Sequence, residues 1–256
     1  MAAFDVVQIP ALQDNYIYLV REPNSGAVAV IDPAEDEPVR AALAERGWTP
    51  ELILNTHHHF DHIGGNAALK QRFGCRIIGP AADTHRIPEM DAAVREGDTV
   101  TIGAATGQVL ETPGHTSGHI SFYFPEQAAL FCGDTLFALG CGRLFEGTPE
   151  QMWQSLSKLK ALPDETLVYC AHEYTEANAA FARSIDPDNG DLARRADQIA
   201  AQRRADRPTV PSRLADEKAT NPFLRPDDPA IVRTIGLSDA DTVRRFAEIR
   251  ARKDRF

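Results

Sequence analysis

Cysteine is scarce in this 256-residue chain, and the four that exist follow no pattern. Cys75, Cys132, Cys141 and Cys170 include no C-x-x-C pair. That argues against a disulfide framework and for free thiols in a reducing compartment. Long apolar runs are missing as well: no stretch approaches the roughly 20 residues that a membrane-spanning helix needs. The N-terminal Met1-Ala-Ala-Phe-Asp5 has neither the basic start nor the long apolar centre of a secretory signal. The expected setting is therefore cytoplasmic, away from membranes. Positive charge is in deficit, with a formal net charge of −10. A general nucleic-acid binder needs the opposite sign to release counterions, although a local basic pocket stays compatible with this balance. Internal repeats and low-complexity tracts are absent. What remains is a chain 43% hydrophobic, long enough for one large domain or one domain with a smaller companion.

Against this plain background, residues 56–62 stand out: Thr-His-His-His-Phe-Asp-His. Four of the eight histidines of the chain fall within them. A packed core has no use for so many imidazoles, whereas a metal ion does. His57, His59 and His62 can each offer a ring nitrogen, and Asp61 a carboxylate. The apolar run Glu51–Asn55 before them reads as a buried strand, and Gly64-Gly65-Asn66 as a turn before a helix. Loops that open from rigid strands are common places for catalytic residues.

The first part of the chain alternates strand and helix patterns. Strands are expected at Phe4–Ile9, Tyr16–Val20, Ala27–Ile31, Leu52–Leu54, Arg76–Ile78, Val109–Glu111, Ile120–Phe124, Ala129–Cys132 and Thr166–Cys170. Helices are expected at Pro38–Glu45, stopped by Gly47, and at Asn66–Phe73, stopped by Gly74. Thr148-Pro-Glu-Gln151 reads as a capping box that opens a helix to about Leu159. After Tyr174 the composition shifts to Ala, Arg, Asp and Glu. Helices then follow at Thr175–Ser184, Leu192–Arg204 and Asp241–Arg252, with a short one near Ile231. Arg207–Pro229, with five prolines, reads as an extended connection. The domain boundary is expected near 173, separating residues 1–173 from residues 174–256.

Three further polar sites lie at strand ends: Thr112-Pro-Gly-His115-Thr-Ser-Gly-His119, Phe131-Cys-Gly-Asp134-Thr and Tyr169-Cys-Ala-His172-Glu-Tyr174. In each, a glycine or alanine beside the polar residue leaves room for close backbone approach. A single histidine at a strand end is most often a structural residue. Together the sites read H-x-H-x-D-H, then G-H, then G-D, then A-H. This order resembles the signature of the metallo-β-lactamase superfamily, over nearly the whole chain from Asn15 onward.

The resemblance implies an α/β fold, a metallo-β-lactamase-like αββα four-layer sandwich, here followed by a C-terminal α-helical domain. It also implies two divalent metal ions per chain. His57, His59 and His115 are the implied ligands of the first ion, and Asp61, His62 and His172 of the second. Asp134 is the implied bridging carboxylate. All are nitrogen or oxygen donors, which suits zinc first, with iron or manganese as alternatives. Two such ions clamp a bridging water and make it hydroxide near neutral pH, with Asp134 and Asp61 beside it, so no serine or cysteine nucleophile is required. Cys132 reads as core. His58 alternates away from its neighbours and reads as supporting or packing. His119 reads as an orienting hydrogen-bond partner and His85 as surface. Asp32 reads as a turn former or as a partner of the histidine loop.

Fold alone does not decide the substrate. Gly140-Cys-Gly-Arg143-Leu-Phe145-Glu-Gly-Thr, His172-Glu-Tyr174-Thr, Asn221-Pro-Phe-Leu-Arg225 and Arg250-Ala-Arg-Lys253-Asp closely resemble the glyoxalase II (hydroxyacylglutathione hydrolase) family. The resemblance implies a glutathione site lined by Arg143, Phe145, His172, Tyr174, Arg250 and Lys253. It implies hydrolysis of S-D-lactoylglutathione to D-lactate and glutathione, the second step of methylglyoxal detoxification, by a monomer. Animal members carry lysine and tyrosine where this chain has Arg143 and Phe145; phenylalanine removes a hydroxyl donor there. The tail agrees in its charge. Residues 244–256 hold six basic side chains against Glu248 and Asp254, and Arg250 and Lys253 share a helical face. Taken alone, that pattern also fits a solvated helix whose basic end suits its dipole.

Two other readings compete. A glutathione persulfide dioxygenase of the same superfamily uses a single iron, but its pattern lacks the long helical tail. A non-catalytic metal-binding module would tolerate gaps among the ligands, and there are none.

Overall fold

The computed structural model describes residues 3–256, so the reading of the N-terminal five residues lies partly outside the described residues. The chain packs as two compact units. One runs to Glu111 and takes in Ser117–Gly133; the other joins Thr112–Thr116 to Asp134–Phe256.

The first unit opens with a six-stranded sheet. Its strands are β1 (Asp5–Ala11), β2 (Asn15–Arg21), β3 (Val28–Ile31), β4 (Leu52–Leu54), β5 (Arg76–Pro80) and β6 (Ala92–Val94), in that order across the sheet. β1, β2 and β3 run antiparallel, while β3 to β6 pair in parallel. Parallel neighbours need crossovers. Helix α1 (Asp36–Arg46) joins β3 to β4, and α2 (Phe60–Ile63) with α3 (Asn66–Phe73) joins β4 to β5. Gly47 and Gly74 end α1 and α3 in the left-handed conformation, as their positions in the sequence suggest. Ile17, Leu19, Val30, Val39, Leu43, Ile53, Leu69 and Ile77 form the core of this part. Full burial of each such side chain contributes about 1.5–3 kcal/mol.

Four more strands follow as an antiparallel meander: β7 (Thr99–Ile102), β8 (Ala105–Glu111), β9 (Ile120–Phe124) and β10 (Ala129–Gly133). β8 alternates buried and exposed residues over Ala105–Val109, the mark of a strand with one wet face. This strand begins four residues before the expected Val109, and β6 and β7 lie where no strand is expected. At three residues (Ala-Ala-Val) and four (Thr-Val-Thr-Ile), both are too short for a strand pattern to stand out from the surrounding chain.

The second unit is mainly helical. It contains the hairpin β11 (Leu136–Phe137) and β12 (Gly140–Cys141), helix α4 (Pro149–Lys160), and β13 (Leu167–Cys170) paired with β14 (Ser212–Arg213). Thr148 and Gln151 form the expected capping box on α4. Helices α5 (Thr175–Ile185), α6 (Gly190–Arg204), α7 (Leu214–Thr220), α8 (Pro229–Ile235) and α9 (Thr242–Arg255) follow. Leu139, Ala179, Ala182, Leu192 and Ile199 form one core cluster there. The expectation of an extended 207–229 connection is corrected: α7 lies inside it. Pro211 and Pro222 flank that helix without interrupting it, and Asp216 and Glu217 sit in its first turn, where the dipole favours acids.

Candidate active site

In the first unit, β4 delivers the chain into Asn55-Thr56-His57-His58-His59, and α2 then carries Asp61 and His62. The ring nitrogens His57 Nε2 and His59 Nδ1 lie 3.1 Å apart. The His57 and His62 ring centres are 4.0 Å apart. His57 and His62 are fully buried.

One carboxylate wires this loop. Asp32 Oδ1 accepts the Thr56 N–H at 2.8 Å, and Oδ2 accepts the Thr56 hydroxyl at 2.7 Å. Oδ2 also lies 3.0 Å from His62 Nδ1. An ionised carboxylate only accepts, so His62 donates from Nδ1 and its lone pair sits on Nε2. Thr56 has spent its only proton on Asp32. At its 3.0 Å contact with His57 Nδ1 it therefore accepts, which leaves the lone pair of His57 on Nε2 too. This is the arrangement that prepares imidazoles for a metal. Asp32 holds φ at +49°, an uncommon value that three hydrogen bonds offset.

Asn15 Nδ2 donates to the Asp61 carboxylate at 3.0 Å and to its backbone carbonyl at 3.2 Å. Asp61 Oδ2 lies 3.5 Å from His62 Nε2. Asn55 donates to the His62 carbonyl at 3.0 Å and accepts from Asn66 at 2.7 Å, closing the loop at its base. His58 turns the other way, toward buried Asp83 at 3.2 Å, and Asp83 also takes Arg86. His119 stacks on His57 with ring centres 4.8 Å apart. His85 is exposed.

In the second unit, Asp134 lies between two histidines. His115 Nε2 is 3.2 Å from its Oδ2, and His172 Nε2 is 3.3 Å from its Oδ1. His115 Nδ1 donates to the Arg143 carbonyl at 2.9 Å, so the Nε2 that faces Asp134 carries a lone pair. Two acceptors at that distance repel unless a cation or a proton lies between them. The donor set thus fits divalent ions. Thiolates do not compete: burial pushes the Cys141 and Cys170 thiols up to about 11 and about 12, so both stay protonated. Cys132 is fully buried, as core.

Glycine precedes Asp134 and His115 for steric reasons. A Cβ on Gly133, whose φ is +46°, would come 2.4 Å from Thr56 Oγ1. On Gly114 it would come 2.8 Å from the Met152 Cβ. Neither position tolerates a side chain.

The expected substrate-binding residues also lie in this unit. The Tyr174 ring stacks flat on His172, with centres 4.8 Å apart, and Phe145 stands edge-on to His115. Phe145 and Arg143 are largely exposed. Arg250 and Lys253 diverge although both belong to α9. Arg250 is buried, donates to the Cys141 carbonyl at 2.7 Å and to Asp254 at 3.0 Å, and lies over the Phe223 ring. Lys253 is half-buried against Phe181 and Phe256. Burial, with the charges of Arg250 and Arg143, pushes its amine below the usual lysine range; Asp254 opposes them.

Residues 12–172 match the sequence pattern of the metallo-β-lactamase superfamily. Residues 173–256 match that of the hydroxyacylglutathione hydrolase C-terminus. The hydroxyacylglutathione hydrolase of Methylococcus capsulatus is 56% identical over 252 residues, covering 98% of each chain. The chain belongs to the hydroxyacylglutathione hydrolase family. The enzyme of that name from Rhodospirillum rubrum is also 56% identical, over the full length of both chains. In three dimensions the chain resembles ETHE1 from Myxococcus xanthus, with a TM-score of 0.67, 26% identity and 98% of each chain covered. The fold is therefore the metallo-β-lactamase-like αββα sandwich with a C-terminal helical region, as the order of motifs implied.

Sequence reasoning about this hydroxyacylglutathione hydrolase relative missed Asn15, Thr56, Asn55 and Asn66. All are small polar residues at strand ends or helix starts, where turn formation is the ordinary explanation. Asp32 was legible only as one of two alternatives, and its hydrogen bonds decide for the partner of the histidine loop.

Proposed function

We propose that this chain hydrolyses hydroxyacylglutathione thioesters, S-D-lactoylglutathione foremost, releasing D-lactate and glutathione in the second step of methylglyoxal detoxification. The observation that carries the substrate is the cationic group Arg143, Arg250 and Lys253, balanced only in part by Asp254. Glutathione brings two carboxylates, which suit a group with a surplus of positive charge. Arg143 is the exposed member and Lys253 a half-buried one, while Phe145 and Tyr174 offer rings beside His115 and His172. Arg250 contributes its charge from beneath and holds Asp254.

His57, His59 and His115 would hold one divalent ion, and Asp61, His62 and His172 a second. Asp134 would be the carboxylate they share. Each of these side chains offers a nitrogen or carboxylate oxygen suited to an ion. Zinc fits the donors first, and iron or manganese also suit them. When bound, such ions supply a hydroxide nucleophile and a Lewis acid near neutral pH. The rest falls to the protein. Asp32 and Thr56 keep the Nε2 lone pairs of His57 and His62 available, and the Arg143 carbonyl does so for His115. Asn15 holds the Asp61 carboxylate in place to orient the attacking oxygen. The leaving group is a thiol of ordinary pKa about 8.5, so it departs as thiolate with little help from a general acid.

Four buried free thiols are consistent with action in the cytoplasm, and a single chain carries every residue named. No helix among the described residues is long and apolar enough to cross a membrane. The test is a steady-state assay with S-D-lactoylglutathione, without oxygen, on protein of measured metal content. Equal release of D-lactate and glutathione is expected. A protein with two bound ions that leaves this thioester intact would overturn the reading.

A further inference from the structure

The hairpin β11–β12 has a tip whose backbone is gripped by side chains from far along the chain. Asn221 Nδ2 donates to the carbonyls of Phe137 at 3.2 Å and Gly140 at 3.0 Å. Asn178 Nδ2 donates to the Ala138 carbonyl at 3.1 Å. Glu217 Oε2 accepts the Leu139 N–H at 2.9 Å and the Asn221 amide at 3.1 Å. Its other oxygen takes Arg195, which also donates to Thr220 at 2.7 Å. Glu217 and Asn221 are fully buried, and Asn178 nearly so.

This is a costly way to hold a turn. Glu217 is a buried charge, and Leu139 sits at φ +57°, an unfavourable value for a branched side chain. A two-residue hairpin normally solves the problem with glycine or asparagine. Here three side chains saturate the turn instead, which fixes its position as well as its shape.

The hairpin carries the site. Asp134 lies two residues before it and Arg143 two residues after it. The Arg143 carbonyl fixes the His115 ring, and the Gly142 N–H bonds the Thr135 carbonyl at 3.2 Å. The Phe137 ring stands edge-on to His172 at 5.8 Å and to Tyr174 at 5.3 Å. A shift of the hairpin would therefore move Asp134, His115, His172 and Tyr174 together.

We propose that Glu217 and Asn221, backed by Arg195 and helped by Asn178, are positioning residues that set the Asp134–His115–His172 geometry through the 136–141 hairpin. The inference rests on the metal-dependent thioesterase reading above. Its test combines the variants Glu217→Gln and Asn178→Ala with three measurements on purified full-length protein. Amide hydrogen exchange at Leu139 reads the grip. The rate of zinc release to a chelator reads the ligand geometry. The split between kcat and KM reads the chemistry.

For Glu217→Gln, Leu139 exchange and zinc release should each quicken by about tenfold or more, the scale of lost second-layer support for a metal. kcat should fall by a similar factor, while KM, set by the glutathione contacts, moves less than about threefold. Asn178→Ala releases one carbonyl and should follow in the same direction with smaller effects; it carries the test alone if Glu217→Gln does not fold. Arg194→Ala, an exposed neighbour, should change none of the three. Faster exchange at Leu139 with unchanged zinc release and unchanged kcat would overturn the proposal, because the grip would then serve folding only. If the unaltered protein lacks thioesterase activity, the functional reading fails, yet the exchange and zinc-release comparison still decides this one.

Discussion

The two units supply their candidate ligands in opposite ways. In the first, His57, His59, Asp61 and His62 come from six consecutive positions, and one carboxylate, Asp32, orients the loop. In the second, His115, Asp134 and His172 are far apart in sequence. They are held by backbone carbonyls, glycine contacts and a hairpin pinned from α5, α7 and Asn221. A local motif needs few supports because the chain itself limits where its residues can go. A dispersed one needs support from packing, so its precision depends on residues that carry no chemical signature.

The sharpest way to break the comparison is Asp134→Asn. The amide nitrogen replaces one carboxylate oxygen with a donor that would face a histidine lone pair. Metal content and turnover should fall together, by well over the about 100-fold that lost support alone produces. Retention of two tightly bound ions with normal turnover would remove Asp134 from the bridging position.

Asp32→Asn tests the other unit. Asparagine accepts the same positive φ, so the backbone stays and only the hydrogen bonds change. An amide that donates to His62 Nδ1 forces the opposite tautomer and takes the lone pair away from Nε2. Metal affinity should drop by about 10- to 100-fold, read by competition with a chelator. An unchanged affinity would mean that the loop does not depend on its carboxylate.

Lys253→Ala should raise KM by about 10- to 100-fold and leave kcat nearly unchanged, since one charge-assisted contact is worth about 1.5–3 kcal/mol. A pure kcat effect would argue against a binding role. The amine lies below the usual lysine range, so it loses its charge at lower pH than an exposed lysine. KM should accordingly climb as pH rises on the alkaline side, and this rise should vanish in the alanine variant. Arg250→Ala should act differently: it removes a buried charge and leaves the Cys141 carbonyl without its donor, costing about 3 kcal/mol of stability. Denaturant unfolding separates the two.

The smallest effect concerns Glu22, another local device of the first unit. The Ser25 hydroxyl, with the Ser25 and Asn24 backbone N–H groups, holds its carboxyl down at about 2. A depressed carboxyl stabilises the fold at pH above the usual glutamate range, and that contribution is lost as pH falls toward about 2. Carbon-detected titration should find Glu22 still ionised near pH 3. Titration at an ordinary glutamate value would mean that the turn does not hold it.

These contrasts account for what was legible. H-x-H-x-D-H, G-H, G-D and A-H were readable because metal ligation restricts residue type, and because glycine must stand where a Cβ would collide with Thr56 or Met152. The capping box at Thr148 and the C-cap glycines at Gly47 and Gly74 were readable because helix ends are local chemistry. Helix α7 was hidden among prolines that flank it. Strands β6 and β7 were hidden because three or four residues are too few to set a strand pattern apart from chance.

By itself, then, the sequence determined the donor atoms, the family order of the motifs and the basic end of α9. Only the tertiary structure decided which ring nitrogens carry lone pairs. Only it turned His58 toward Asp83, sent Arg250 inward while leaving Lys253 half-buried against Phe181 and Phe256, and gave Glu217 and Asn221 a hairpin to hold. The reason is physical. Residue type fixes what a side chain can donate or accept, whereas the partner that uses it is chosen by packing between segments tens of residues apart.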